Sequence, residues 1–274
     1  MIRPILTREE RSFSNHIVSH LRAFATTIDV TKYINVNGWD KDRVLDLYMN
    51  VLWNTPEVFY VPKRIRYQDV HYNDGTVKYA KLTGIQYSIR PSEYESCWKQ
   101  LKQEMARALN SVRGITSPEI IALRLHDHLV RICDYDLDAA DHPRRSAPAR
   151  SAYSVLVRRK AVCEGYTMAY RLLLNAAGIL SEEIVSDKMN HCWNYVYLRG
   201  HWYHVDVTFD DPIWVNRAGA GRSGVVPAPP GAPVCHDNFL MSDRKAKHTG
   251  HTGWKTRGLP PADDTAFDCR CWDL

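Results

Sequence analysis

An α+β fold, with a helix packed on an antiparallel sheet, is predicted by three observations. From Val162, apolar side chains recur at Tyr166, Ala169, Tyr170, Leu173 and Ala177, the three- and four-residue spacing of one buried helical face. Residues 190–212, NHCWNYVYLRGHWYHVDVTFDDP, read as two strands joined at Arg199-Gly200, because aromatic and β-branched residues suit a pleated, half-buried surface. Upstream, residues 1–115 read as a smaller region of helices and a β-meander, which leaves 116–274 as the larger core.

The elements follow in chain order. Amphipathic helices are expected at 8–26 and 40–54, the second with Asp40 as its N-cap. Between 57 and 90 the segments EVFYV, RIRYQDVHY, VKYAKL and IQYSIR are β-rich, and NDG at 73–75 supplies hairpin turn chemistry. Helical patterns return at 92–111 and 118–132, the latter opened by Ser117-Pro118-Glu119, an N-cap, a first-turn proline and an acid. DAADHPRRSAPARS reads as a loop, and Gly178 stands where a helix C-cap belongs. The Gly/Pro/Ala-rich stretch at about 217–233 reads as an extended spacer, and His248 and His251, in a polar tail, read as solvated.

Composition narrows the function. Of 274 residues, 45% are hydrophobic and 24% charged, the balance of a folded soluble chain. The net charge of +5 is spread out rather than gathered into a basic face, so no nucleic-acid partner is expected. No window approaches the roughly 18 apolar residues of a membrane span, and the N-terminus lacks an uninterrupted apolar run of the signal-peptide kind. A soluble chain with no visible signal peptide is expected; compartment and oligomeric state stay open. Seven scattered cysteines, an odd number, argue for reduced thiols rather than a disulfide framework. The Cys269-Arg270-Cys271 pair lacks a complete ligand set, and no metal or cofactor is expected.

One cysteine is placed for chemistry. Cys163 falls at the first turn of the predicted helix, where unpaired N–H groups and the positive end of the macrodipole favour a thiolate. On the helix alone, a buried structural cysteine is an equal reading. The hairpin decides between them. A two-residue connection at Arg199-Gly200 pairs Leu198 with His201, Trp193 with Asp206 and His191 with Thr208. His191 and Asp206 then share a face as diagonal neighbours, roughly 7 to 8 Å apart at Cα. A carboxylate on one ring nitrogen orients the imidazole and leaves the other for a thiol. The same alternation turns Cys192 to the opposite face, as packing, and puts His204 opposite Tyr195.

RRKAVCEGYTMAYRLLLNAAGI, HCWNYVYLRGHWYHVDVTFDDP and NFLMSD together resemble the core of the transglutaminase-like superfamily, and most closely its bacterial cysteine-peptidase-like members. The likeness covers roughly 117–212 and resumes near 238–248. It implies a papain-like α+β core in which Cys163 is the nucleophile, His191 the general base and acid, and Asp206 the orienting carboxylate. It also implies thiol-dependent acyl transfer on a protein, peptide or peptidoglycan-like amide through a thioester, resolved by water or by a primary amine. The Cys163 N–H is one expected oxyanion donor and Tyr153 a candidate for the second; Trp193 and His204 are candidates for support around the triad. Animal transglutaminases place an oxyanion-stabilising tryptophan shortly before the nucleophile. Here the nearest upstream tryptophan, Trp98, sits on a different helical pattern, which favours hydrolysis over amine transfer. A non-catalytic scaffold would predict a lost triad member. A zinc ion held by Cys163, His191 and Asp206 would give the thiol no reason to start a helix.

Overall fold

The computed structural model describes residues 6–61, 63–142, 147–211, 214–216, 224–226, 233–256, 258–270 and 272. The chain divides into two compact units, Met1–Glu95 and Ser96–Leu274.

In the first unit, helix α1 (Arg8–Arg22) opens on a reciprocal cap. The Thr7 hydroxyl accepts from Glu10 N–H, and the Glu10 carboxylate accepts from Thr7 N–H. Strand β1 (Thr27–Asp29) is followed by α2 (Thr31–Asn37) and α3 (Lys41–Asn54), whose Asp40 cap accepts from Arg43 N–H at 2.8 Å. Strands β2 (Arg66–His71) and β3 (Val77–Thr83) form the hairpin that NDG predicts, in a sheet of order β1-β3-β2. Two of the β-rich segments are not strands. EVFYV begins within a 3₁₀ turn at Pro56–Val58, and IQYSIR is irregular. Their aromatics bury against one another instead, Tyr60 stacking on Phe24 at 4.8 Å and meeting Tyr87 at 5.8 Å. Pro56 also fixes the first turn in a helical φ.

The division between the units falls near the start of α4 (Tyr94–Asn110), and this helix is bonded to later residues: Gln100 accepts from the Tyr153 hydroxyl, and Glu104 holds Arg159. Helix α5 (Pro118–Ile132) is capped by Ser117. Strand β4 (Asp134–Tyr135) runs parallel to β5 (Lys160–Ala161). The stretch between them, expected as loop, contains a short helix α6 (Leu137–Asp141), because Asp136 caps Ala139 N–H at 3.1 Å and Ala139 is buried. A π-helical turn (Ser154–Arg158) leads into β5, and α7 (Cys163–Ala176) follows at once.

Strands β6 (Ser181–Ser186), β7 (His191–Leu198) and β8 (His201–Val205) form an antiparallel sheet on which α7 packs. Arg199 and Gly200, at φ 50° and 92°, make the two-residue turn, and the pairing is the expected one: Leu198 with His201, Tyr195 with His204, Asn194 with Val205. Short strands β9 (Trp214–Asn216) and β10 (Gly224–Val226) pair with each other, so part of the expected spacer is strand; the rest of it, apart from Pro233, lies outside the described residues, as does Cys271 of the C-terminal cysteine pair. Helix α8 (Asp243–His248) and β11 (Trp254–Lys255) complete the unit, β11 joining the sheet beside β6. Among the described residues no helix is long and apolar enough to cross a membrane.

The join between β5 and α7 is tight. A Cβ at Gly165 would lie 2.8 Å from Ala149 O and 2.8 Å from Ala161 Cβ, so only glycine lets the first turn of α7 seat against this backbone. Gly165→Ala is therefore expected to destabilise the fold by about 1–3 kcal/mol, the usual cost of overpacking. A urea midpoint equal to that of the parent protein would refute this account of the turn.

Candidate active site

Cys163 is the first residue of α7, and Val162 caps the helix without a side-chain bond. The thiol therefore sits at a helix start where the cap offers no side chain to the first turn and its carbonyl takes only the Gly165 and Tyr166 N–H groups, and it is half-buried. The remainder of α7 is pinned: the Tyr170 hydroxyl donates to Ala122 O on α5 at 2.9 Å, and the Tyr166 hydroxyl donates to Asp211 Oδ2 at 2.6 Å.

Strand β7 presents alternate residues to opposite faces. Cys192 and Asn194 face α7, where Thr167 Oγ1 lies 3.6 Å from Cys192 Sγ and Asn194 Nδ2 donates to Thr167 O at 3.0 Å. Cys192 is thus on the face opposite the His191 ring, as the alternation requires, but that face is the one that meets the helix carrying Cys163. Packing is not its only contact: both its thiol and its backbone N–H donate to the Cys163 sulfur. His191, at the strand's first position, is hydrogen-bonded to the same sulfur.

Asp206 immediately follows β8, and its backbone N–H donates to Asn238 O at 2.9 Å. Its carboxylate is fully buried and carries four contacts. Oδ2 meets His191 Nε2 at 2.6 Å and His251 Nε2 at 3.0 Å. Oδ1 accepts from the backbone N–H groups of Thr208 and Phe209 at 3.0 and 3.2 Å. Burial alone would push this carboxyl up, but the charge and hydrogen bond of His191, with the His251 contact, hold it down at about 2. For His191, burial opposes protonation, and the Asp206 charge and hydrogen bond outweigh it; the Cys163 thiolate adds to them, raising the imidazole to about 10. The thiol is lowered to about 4, first by donation from Cys192 and then, against burial, by His191. Between these limits the ionised pair, thiolate and imidazolium, is the stable form.

His251 is the residue that sequence reasoning missed. It is completely buried rather than solvated, with Nδ1 at 3.1 Å from Thr249 Oγ1; His248, by contrast, is exposed as expected. HTGHTGW has the composition of a polar loop, and only the turn through Gly250, at φ 97°, carries the ring inward. Trp193 and His204 form a relay behind the site. Trp193 Nε1 donates to His204 Nδ1 at 2.9 Å, which makes the His204 Nε2–H the donor to Asp243 at 2.8 Å. Burial, the largest influence, keeps His204 below the ordinary histidine range. The Trp193 indole also stacks with the His191 ring at 5.6 Å, and Phe209 stacks with it at 4.5 Å. Tyr153 donates its hydroxyl proton to Gln100 at 2.7 Å.

Asp210 closes the turn after β8 and Asp211 follows it, both side chains buried in hydrogen bonds. Burial, with Asp134 nearby, pushes the Asp211 carboxyl up to about 6 despite donation from Tyr166. A cavity of about 840 Å³ opens beside His191, lined also by Tyr135, Thr208, Phe209, Asp211 and Asn238.

Residues 103–207 match the model of the transglutaminase-like superfamily. Those 105 of the 274 residues carry the likeness to that superfamily's core. No curated protein matches the chain in sequence. Among solved structures, it is similar to one described as a TGase, at 14% identity and TM-score 0.38 over 58% of this chain and 46% of that one. A candidate cysteine protease from Cytophaga hutchinsonii aligns at 16% identity and TM-score 0.33, over 54% of this chain and 63% of that one. A candidate protease from Parabacteroides distasonis aligns at 12% and 0.31, over 51% and 35%. The chain thus spans less than two thirds of each. Cys163, His191 and Asp206 fall within the matched residues 103–207, and His251 falls beyond them.

The shared oxygen of Asp206 makes His251 testable. His251→Phe removes a donor from a buried carboxylate, an interaction worth about 1.5–3 kcal/mol, and should slow iodoacetamide alkylation of Cys163 at neutral pH by roughly tenfold or more. His251→Gln, which retains an N–H, should recover most of the rate. Equal rates for the His251→Phe variant and the parent protein would show that His251 has no hold on the thiol.

Proposed function

We propose that this transglutaminase-like core is a thiol-dependent acyl-transfer enzyme that hydrolyses amide or peptide bonds. The observation that carries the reading is the single continuous set of contacts from Cys163 through His191 to Asp206. A non-catalytic scaffold gives no reason to bury a carboxylate beneath an imidazole that meets a helix-start thiol.

The roles follow from the geometry. Cys163 attacks the carbonyl carbon as thiolate, and the developing oxyanion is met by the Cys163 backbone N–H. Tyr135, which lines the cavity with His191 and senses the Cys163 charge, is a better second donor than Tyr153, whose proton is engaged by Gln100. The His191 imidazolium protonates the departing amine as the C–N bond breaks, leaving a thioester and a neutral imidazole. The same imidazole then removes a proton from water, whose oxygen attacks the thioester; the C–S bond breaks to release the acid and the Cys163 thiolate, which restores the pair with the His191 imidazolium. Asp206 stays ionised and holds the ring in the tautomer that both steps use. The solvent-connected cavity beside His191 supports water as the acceptor. Trp98 supports it too, since that residue sits on α4, with Lys102 over its ring, rather than before the nucleophile. One observation favours the alternative acceptor, a primary amine: the Asp211 carboxyl in the cavity wall is a partner for an ammonium group.

The test is a library of glutamine-containing and ordinary peptides incubated with and without a labelled primary amine, read by mass spectrometry for acyl-enzyme, acid and cross-linked product. Acid product that does not fall when the amine is added supports hydrolysis. Dominant amine incorporation would replace it with the transglutaminase reading, and no adduct on any amide would overturn both. Cys163→Ala should abolish turnover. Tyr135→Phe should lower kcat by about 10²–10³, the cost of one oxyanion donor, while Tyr153→Phe leaves kcat near the parent value; the reverse pattern would return the role to Tyr153.

A further inference from the structure

A second cluster of ligating side chains lies outside the thiol site. His126 and Asp127 are consecutive residues of α5, and His236 precedes the segment that reaches Asp206. The three offer one ligand atom each, all within 4.8 Å of one another. Asp127 Oδ1 is 3.1 Å from His126 Nδ1 and 2.7 Å from His236 Nε2, so both rings aim at one point. Tetrahedral zinc takes nitrogen and carboxylate ligands at about 2.0–2.2 Å, which places neighbouring ligand atoms roughly 3.3–3.5 Å apart. The His126 side is within a few tenths of an ångström of that spacing, and the His236 ring, on the less buried side, has more than half an ångström to open.

The surroundings provide a second, independent observation. His126 is completely buried, and its remaining nitrogen, Nε2, is 3.1 Å from Asp210 Oδ2. Asp210 is itself fully buried and held, its Oδ1 accepting from both Asn238 N–H and Asn238 Nδ2 at 3.0 and 2.9 Å. Asp210 holds the proton on Nε2, the arrangement usual behind metal-bound histidines, so an ion at Nδ1 would displace only the proton that Nδ1 shares with Asp127. Asp127 Oδ2 is steadied by Arg131 at 3.2 Å. His236, less buried than the other two, gives an entry side.

We propose that His126 Nδ1, Asp127 Oδ1 and His236 Nε2 bind a divalent transition-metal ion of the zinc class, separate from the thiol site. Two nitrogens and one carboxylate suit zinc or cobalt better than calcium or magnesium. Through Asp210 and Asn238, whose carbonyl takes the Asp206 N–H, the bound ion would brace the turn that carries Asp206.

The experiment titrates the full chain with zinc against a chromophoric chelator, in parallel with Cys163→Ala, His236→Gln and Asp210→Asn. One equivalent should bind the parent protein and Cys163→Ala alike, while His236→Gln weakens binding at least tenfold and Asp210→Asn does so by about 10–100-fold. Cobalt substitution supplies a readout that does not depend on how the variants fold: the parent protein should show ligand-field bands without a thiolate charge-transfer band. No zinc binding, unchanged binding in His236→Gln, loss of binding in Cys163→Ala, or a strong thiolate–cobalt band would each overturn the assignment.

Discussion

The second unit is organised around one buried charge, the Asp206 carboxylate. An isolated carboxylate in such a place would cost several kcal/mol, and here four donors converge on it: two imidazoles on one oxygen and two backbone N–H groups on the other. These donors come from three separate parts of the chain. His191 opens β7, Thr208 and Phe209 belong to the turn after β8, and His251 follows α8. Satisfying this one group therefore sets the ends of several elements relative to one another.

The thiol depends on the same charge at one remove. Asp206 holds a proton on His191, and the imidazolium holds Cys163 as thiolate, so a half-buried thiol that burial alone would keep neutral ionises readily at neutral pH. Donation from Cys192 is the larger single pull on the thiol, and it ties the helix start to the face of β7 opposite the His191 ring. Gly165 matters for the same reason. It lets the first turn of α7 lie against Ala149 and Ala161, and a side chain there would move the sulfur away from the strand that supplies its partners.

Fold and site are legible in the sequence wherever the information is local. A two-residue turn at Arg199-Gly200 admits one register, and that register is enough to bring His191 within reach of Asp206. Helix starts at Asp40, Ser117 and Cys163 carry their own capping or periodicity signals. Where sequence and structure differ, the cause is tertiary. EVFYV has strand composition, yet its aromatics gain more by joining Phe24 and Tyr87. Alternation puts Cys192 on the correct face, but nothing in a hairpin says what covers that face. His251 shows no local sign of burial; its partner is 45 residues away in the chain, and it reaches that partner through a glycine turn. The same holds for His126, Asp127 and His236, whose meeting depends on contacts spanning 109 residues.

The central claim is that Asp206, acting through His191, keeps Cys163 ionised. Its most direct test is a pH titration of ultraviolet thiolate absorbance, taken as parent protein minus Cys163→Ala, and repeated in an Asp206→Asn background. The account predicts a thiolate that persists down to a pH of about 4 in the parent protein and moves toward the ordinary cysteine value, about 8.5, when Asp206 is neutralised. A parent thiolate that first forms near 8.5, or a low value that survives Asp206→Asn unchanged, would contradict it.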